Sequence, residues 1–468
     1  MRTRKIAGGG WGVIFSKCVL ALCCALALHA LAGCARTTRG GPQGARRSPP
    51  AASIKTDRGR HAPRELPTLP RAGGKFFDPV FGTEIMRVTD AATAPKGAGT
   101  NYSYWASFNA DNTKLLVMDA AAQQSATIYN FDPATFTLGA RLSPLPYSPP
   151  GNIPVRFDDA CWSTADPDAL YVHQDLGTKI YKYQVSRQTF ALVGDVARVL
   201  PRGQFIQQMG MASDNDTFSF TKRGGAPAYK QLGYAVYRAS TNSIRFQHSE
   251  VINEVRIDKS GRYLYVNTNE TGAGKMEGRV VDTETGRVTD LTDDAPDHAP
   301  SHYDVGTGTV VGNGNYLVGI SARHLATPHK FAKIFDLSEE KNYGGFHLSM
   351  LADNEGWVLV SFYTPHPNGV MEGEVVQVAT DSSGRVRRLF HHRAVGTDYY
   401  DSPRANISRD GRFVAFSSNW GVAGGRHDMF VARIDPAPFV VVKPTPAPPA
   451  SRPRRAVASR GNAQSFTP

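Results

Sequence analysis

The chain has almost no cysteine with which to cross-link itself. Four of its five cysteines, Cys18, Cys23, Cys24 and Cys34, fall in the first 34 residues, and Cys161 stands alone in the rest. The main body therefore has no intrachain disulfide available, which excludes a disulfide-stapled scaffold even in an oxidising compartment. Long apolar runs are missing too. Cys18–Leu31 is an apolar run of fourteen residues broken only by His29, short of the roughly 20 that a membrane-spanning helix needs. No long stretch has 3.6-residue apolar periodicity, which argues against a helical bundle. HExxH, GxSxG, the phosphate-binding loop and paired CxxC motifs are also absent, and with them the common signatures of hydrolysis, nucleotide binding and thiol redox chemistry. The 41% of hydrophobic residues nevertheless rules out disorder throughout.

What is present first is charge, unevenly spread. The formal charge is +12, but residues 1–74 hold 13 Lys/Arg against 2 Asp/Glu and residues 437–468 hold 5 against none. Residues 75–436 are left with 35 basic and 39 acidic side chains. The basic excess belongs to the ends, and a nucleic-acid-binding core is not expected. Arg2, Arg4 and Lys5 open the chain, Lys17 precedes the apolar run, and the run ends in Leu31-Ala32-Gly33-Cys34. A positive start and a short apolar core read as an export signal. The Leu-Ala-Gly-Cys ending resembles the bacterial lipobox, which implies a signal peptide over 1–33, lipid on Cys34 and attachment to a membrane through that lipid. Ala35 rather than Asp after the cysteine favours the outer membrane of a two-membrane cell. Residues 34–74 are rich in Arg, Pro, Gly, Ala and Ser and read as a disordered tether. Residues 437–468, with KPTPAPPASRPRR, read as a disordered tail.

Residues 75–436 repeat one unit: an apolar strand, a turn holding Asp, Asn or Gly, and a second apolar strand. It occurs at Ala106–Asp119, Asp159–His173, Gly210–Phe220, Glu254–Asn267, His347–Phe362 and Arg404–Ser417, with a degenerate copy at Tyr303–Ile320 around Gly314. From Asn112 to Gly411 the turns recur about every 50 residues, close to the ~40–50 of a four-stranded propeller blade. The expected fold is all-β, a seven-bladed β-propeller over 75–436, with a two-sheet sandwich as the structural alternative. Arg279–Leu291 and Glu374–Phe390 supply outer strand pairs for two blades. The last unit runs out of chain after Asp428–Ile434. The segment Asp78–Thr89 is the orphan strand that would close the ring and remove two open sheet edges.

The DPxxGxExxRxT pattern at Asp78–Thr89, the Asn101-Tyr102-x-Tyr104 motif and Phe108-Asn109-x-Asp111-x-x-Lys114-Leu115-Leu116 follow one another. Together they resemble the start of oligogalacturonate lyases, metal-dependent pectin-fragment lyases related to the TolB-type propellers. Ser408-x-Asp410-Gly411-x-x-Val414-Ala415-Phe416-x-Ser418 resembles the last blade of that group and is generic to TolB-like propellers. The resemblance implies a histidine base and a Mn-type metal held by three histidines and a glutamine. Ser301-His302 falls where that family carries its base, and His347-Leu348 resembles the dipeptide that gives one metal ligand. The last blade departs from the pattern. It reads Ser402-Pro403-Arg404-Ala405-Asn406, so Ser402 and Arg404 stand where two histidine ligands belong, and Tyr399 or Tyr400 falls near the glutamine position. One imidazole is a poor holder for a divalent ion, so no metal or other cofactor is expected.

Two functions follow. One is an exported, non-catalytic propeller, expected as a monomer, that binds an acidic oligosaccharide or a protein at its channel mouth. The other is a lyase or related carbohydrate-active enzyme that acts on uronate oligosaccharides without the metal. In either, Arg404 and His347 are candidate substrate-binding residues, Arg404 holding a carboxylate with its planar fork, and His302 is the candidate base. The bland alternatives are a local pairing of Arg404 with Asp401 and structural roles for both histidines. Cys161, beside Trp162, reads as a small buried apolar residue. His391-His392-Arg393 and Thr364-Pro365-His366-Pro367 read as exposed loops.

Overall fold

The computed structural model describes residues 54–65, 68–119, 125–142, 154–226, 229–268, 274–314, 317–338, 345–363, 369–396 and 401–438. Residues 1–33, Cys34, the tail beyond 438, Tyr399, Tyr400 and Thr364–Pro367 lie outside the described residues. The described chain contains no α-helix. It forms seven antiparallel sheets, six of four strands and one of five. Blades 1 to 6 span residues 98–141, 155–195, 204–248, 252–292, 303–336 and 346–391 in sequence order. Blade 7 takes Asn406–Ile407, Phe413–Ser418 and Asp428–Arg433, then Glu84–Arg87 and Lys75–Phe77 from the start of the chain.

The closing strand lies where the sequence places it. Glu84–Arg87 pairs antiparallel with Phe430–Arg433, Ile85 opposite Ala432. Alternation then does two jobs. Ile85 packs into the apolar layer between blades 6 and 7, while Met86 and Val88 pack into the layer between blades 7 and 1. One such layer lies between each neighbouring pair of blades: Leu116 and Phe157 join blades 1 and 2, Val236 and Val255 blades 3 and 4, Ile320 and Val360 blades 5 and 6. Ile85, Met86 and Val88 are at most 1% exposed. Burying each is worth roughly 1.5–3 kcal/mol relative to leaving it in water.

The inner hairpins turn on the residues that the repeat pointed to. Asn112, Asn215, Gly261 and Gly411 all adopt positive φ. Asp258 caps its turn by accepting the amides of Arg262 and Tyr263 at 3.0 and 2.8 Å. The degenerate copy turns elsewhere than expected. Its inner hairpin reverses at Gly306–Gly308, between Tyr303–Val305 and Thr309–Gly314, and Gly314 ends the second strand of that blade.

Ordered chain begins earlier in the sequence than its composition suggests, for residues 54–65 pack along the outer edge of blade 6. Lys55 bridges Arg388 in antiparallel register, its carbonyl accepting the Arg388 amide at 2.9 Å. Arg388, 1% exposed, pairs with the fully buried Glu374 (Nε to Oε2, 2.8 Å) and spends its remaining donors on the carbonyls of Asp57 and Gly59. His391 meets the His61 carbonyl at 2.8 Å. This corrects two expectations. The ordered chain reaches back into the 34–74 tether, and His391 and His392 are buried at 1% and 0% rather than exposed on a loop.

Candidate functional site

The seven inner strands line a central channel, and blade 1 interrupts it. Ala98–Gly99 pairs with Asp119 and Met118, and the next bridge is Phe108 to Leu115. Residues 100–107 therefore leave the sheet and cross the channel. Trp105 donates its indole N–H to the Met209 carbonyl of blade 3 at 2.8 Å. Tyr104 donates its hydroxyl to Glu254 of blade 4, under the Arg256 guanidinium, which lies 3.2 Å from its ring centroid and 4.0 Å from that of Trp105. Burial, with the Glu254 charge, pushes the Tyr104 hydroxyl well above its ordinary pKa, so it stays a donor.

Tyr102, on the same excursion, points at blades 6 and 7. Its ring meets His347 edge-on at 4.7 Å, and the Arg404 guanidinium lies 5.7 Å from its centroid. The His302 and His347 rings are 5.6 Å apart. His302, His347 and Arg404 therefore gather around Tyr102, at the end of the channel where the inner strands begin. His347 is 4% exposed. Burial foremost, then His302 and Arg404 as nearby positive groups, hold its pKa well below the usual imidazole value. It is neutral at pH 7, and its Nδ1 has no hydrogen-bond partner among the described residues. His302 places Nδ1 3.1 Å from the Phe346 carbonyl. A carbonyl only accepts, so Nδ1 carries a proton, which leaves Nε2 as the nitrogen that takes or gives up the second one.

A cavity of about 380 Å³ opens beside this group, lined by Arg404, Tyr102, Trp105, Asn101, Gln207 and Gln208, among others. Neither His302 nor His347 lines it, because Tyr102 stands in front of His347. Arg404 sits at φ +45° just before the inner strand of blade 7, and its carbonyl accepts the Thr100 hydroxyl at 3.3 Å. Asp401 pairs with His427 at 3.0 Å. A second, smaller cavity of about 130 Å³ lies toward the inner-hairpin turns, and Trp105 lines both.

Among the described residues, no three His, Cys, Asp or Glu side chains come together as a metal site. The residues that gather here do not fit a divalent ion, because a guanidinium has no lone pair to give one. Cys161 packs against the layer between blades 2 and 3, and burial pushes its thiol up to about 12, away from nucleophilic use. Sequence reasoning noticed Asn101, Tyr102 and Tyr104 as a motif but did not place them in the site. Gln207 and Gln208 it missed. They sit at a bulge, Gln207 opposite Thr221 and Gly210 opposite Ser219, for which the sequence carries no cue.

No protein-family model and no curated protein matches this chain. Among solved structures, an oligogalacturonate lyase from Vibrio parahaemolyticus superposes with a TM-score of 0.57 at 12% identity, covering 77% of this chain and 96% of the lyase. The likeness is one of fold. A chain of the mitotic checkpoint complex aligns more loosely, with a TM-score of 0.45 at 13% identity over 80% of this chain and 96% of that one.

Proposed function

We propose that this protein is an exported, lipid-anchored propeller that binds an acidic oligosaccharide at the mouth of its channel without cleaving it. The observation that carries the reading is the Arg404 guanidinium on the wall of the larger channel cavity, about 380 Å³, together with two aromatic rings and three side-chain amides. Asp119, Asp158 and His427 also line it, and Asp158 is already paired with Arg156 at 3.0 Å. Arg404 supplies a planar fork for a uronate carboxylate. Tyr102 and Trp105 offer faces to sugar rings, and Asn101, Gln207 and Gln208 offer donors and acceptors to hydroxyls. The Tyr102 ring keeps the histidine pair from a bound sugar, which favours holding over proton abstraction. The metal site of the lyases is, on this reading, replaced by Arg404, and Cys34 carries the lipid that keeps the protein in the cell envelope. The test is calorimetric titration with oligogalacturonates alongside ultraviolet absorbance for unsaturated product. Saturable binding with no absorbance change is expected. No binding would overturn the reading.

The lyase alternative keeps one specific support, the Nδ1 contact of His302 to the Phe346 carbonyl, which orients the ring with Nε2 as the nitrogen available for proton exchange. Its signature is an absorbance rise that disappears in His302→Ala.

A further inference from the structure

A separate cavity of about 590 Å³ lies between the docked N-terminal segment and blades 6 and 7, lined by Arg60, Glu65, Tyr363, Glu372, Arg393 and Trp420, among others. Its wall is built rather than incidental. Gly369 adopts φ +61°, and a Cβ there would meet Arg60 Nε at 2.7 Å, so the sequence keeps that position bare where Arg60 passes. Trp420 is a fixed platform, stacked on Phe430 at 4.9 Å and edge-on to Phe76 at 5.3 Å.

Arg393 is the feature without a purpose inside the fold. Its Nε and Nη2 are buried and have no hydrogen-bond partner among the described residues. Burial weighs against its charge more than the Asp78 carboxylate supports it, and Asp78 already accepts the amides of Val80, Phe81 and His391 at 2.8, 2.9 and 3.0 Å. Buried N–H groups left without an acceptor are costly, and an anion drawn onto Arg393 from the cavity offers one. Glu65 and Glu372 in the same lining repel a second negative charge, so a polyanion is disfavoured.

We propose that this cavity is a second binding site, for a small monocarboxylate with a flat body, its carboxylate on Arg393 and its body against Trp420 and Tyr363. Arg60 closes the site from the N-terminal segment. Tyr363 also packs on His347 at 4.6 Å, so an occupant would rest one ring away from the channel histidines.

The test is calorimetry on the purified Arg404→Ala protein, which silences the channel mouth, with benzoate, its neutral isostere benzamide, and the dicarboxylate isophthalate. Benzoate is expected to bind saturably, with benzamide and isophthalate each weaker by about tenfold or more, the scale of a lost charge-assisted hydrogen bond. Adding Arg393→Ala is expected to weaken benzoate to a similar extent. Should that variant not fold, Arg60→Ala, on the outer segment, is expected to weaken benzoate several-fold. Four results would overturn the site: no saturable benzoate binding in either parent or Arg404→Ala, equal affinity for benzamide, unchanged affinity in folded Arg393→Ala and Arg60→Ala, or benzoate binding that Arg404→Ala alone abolishes.

Discussion

Tyr102 and His347 meet edge to face at 4.7 Å, and the same Tyr102 ring lines the cavity that holds Arg404. One side chain thus faces the candidate ligand with one side and covers the histidine with the other. Burial, His302 and Arg404 depress the His347 pKa together. In Arg404→Gln one positive neighbour is gone, so the His347 titration should move up toward its ordinary 6.5, as followed by NMR of the imidazole Cε1–H. An unmoved midpoint would mean that Arg404 does not lie beside His347.

His173 and Asp159 give a stability prediction. His173, fully buried, meets the Asp159 carboxylate at 2.9 Å through Nε2 and the Gln174 carbonyl at 2.9 Å through Nδ1. Both partners accept, so both ring nitrogens donate and the ring is an imidazolium. Burial opposes that charge, but Asp159 outweighs it and the His173 pKa lies above 6.5. Burial likewise opposes the charge on Asp159, but His173 holds its pKa below 3.8. The His173 contribution is complete below about pH 6.5 and is lost as pH rises through the raised folded value. The Asp159 contribution is complete above about pH 4 and is lost as pH falls through the lowered one. His173→Gln should cost roughly 3–5 kcal/mol, the scale of breaking a buried pair, and should flatten the alkaline fall in melting temperature.

The N-terminal segments should differ in weight. A chain beginning at residue 54 should melt with the parent. One beginning at residue 66 uncovers Arg388 and Glu374 and should melt lower. Removal of residues 75–90 should be the most severe, because it exposes the 428–433 edge and strips Ile85, Met86 and Val88 from two blade interfaces. Equal melting of all three would contradict ring closure by Glu84–Arg87.

The ring was legible because its cues are local. Glu254–Asn267 reads as strand, Asp-Lys-Ser-Gly turn and strand, and the structure has Ile252–Ile257 and Tyr263–Thr268 around that turn. The last blade lacked a strand and the first segment offered one. Two larger features were hidden for different reasons, one made mostly of backbone contacts and one set by a break in a strand. Residues 54–65 dock largely through the carbonyls of Lys55, Asp57, Gly59 and His61, and every sequence carries carbonyls. The blade 1 inner strand is only Ala98–Gly99, so the repeat drew Ala106–Asp119 as the hairpin and passed over the excursion that brings Tyr102 to His347. The candidate trio of His302, His347 and Arg404 came from the family pattern, and the structure brings the three around Tyr102.

The most direct measurement of the central claim is calorimetric affinity for a trigalacturonate in the parent, Arg404→Ala and Arg404→Lys, with the melting temperature of each. The account predicts saturable binding in the parent, a loss of roughly 2–5 kcal/mol in Arg404→Ala, a smaller loss in Arg404→Lys because a point charge cannot reproduce a two-pronged contact, and near-parental melting in both. A lowered melting temperature with affinity unchanged, or no affinity in the parent, would contradict it and leave Arg404 a structural residue.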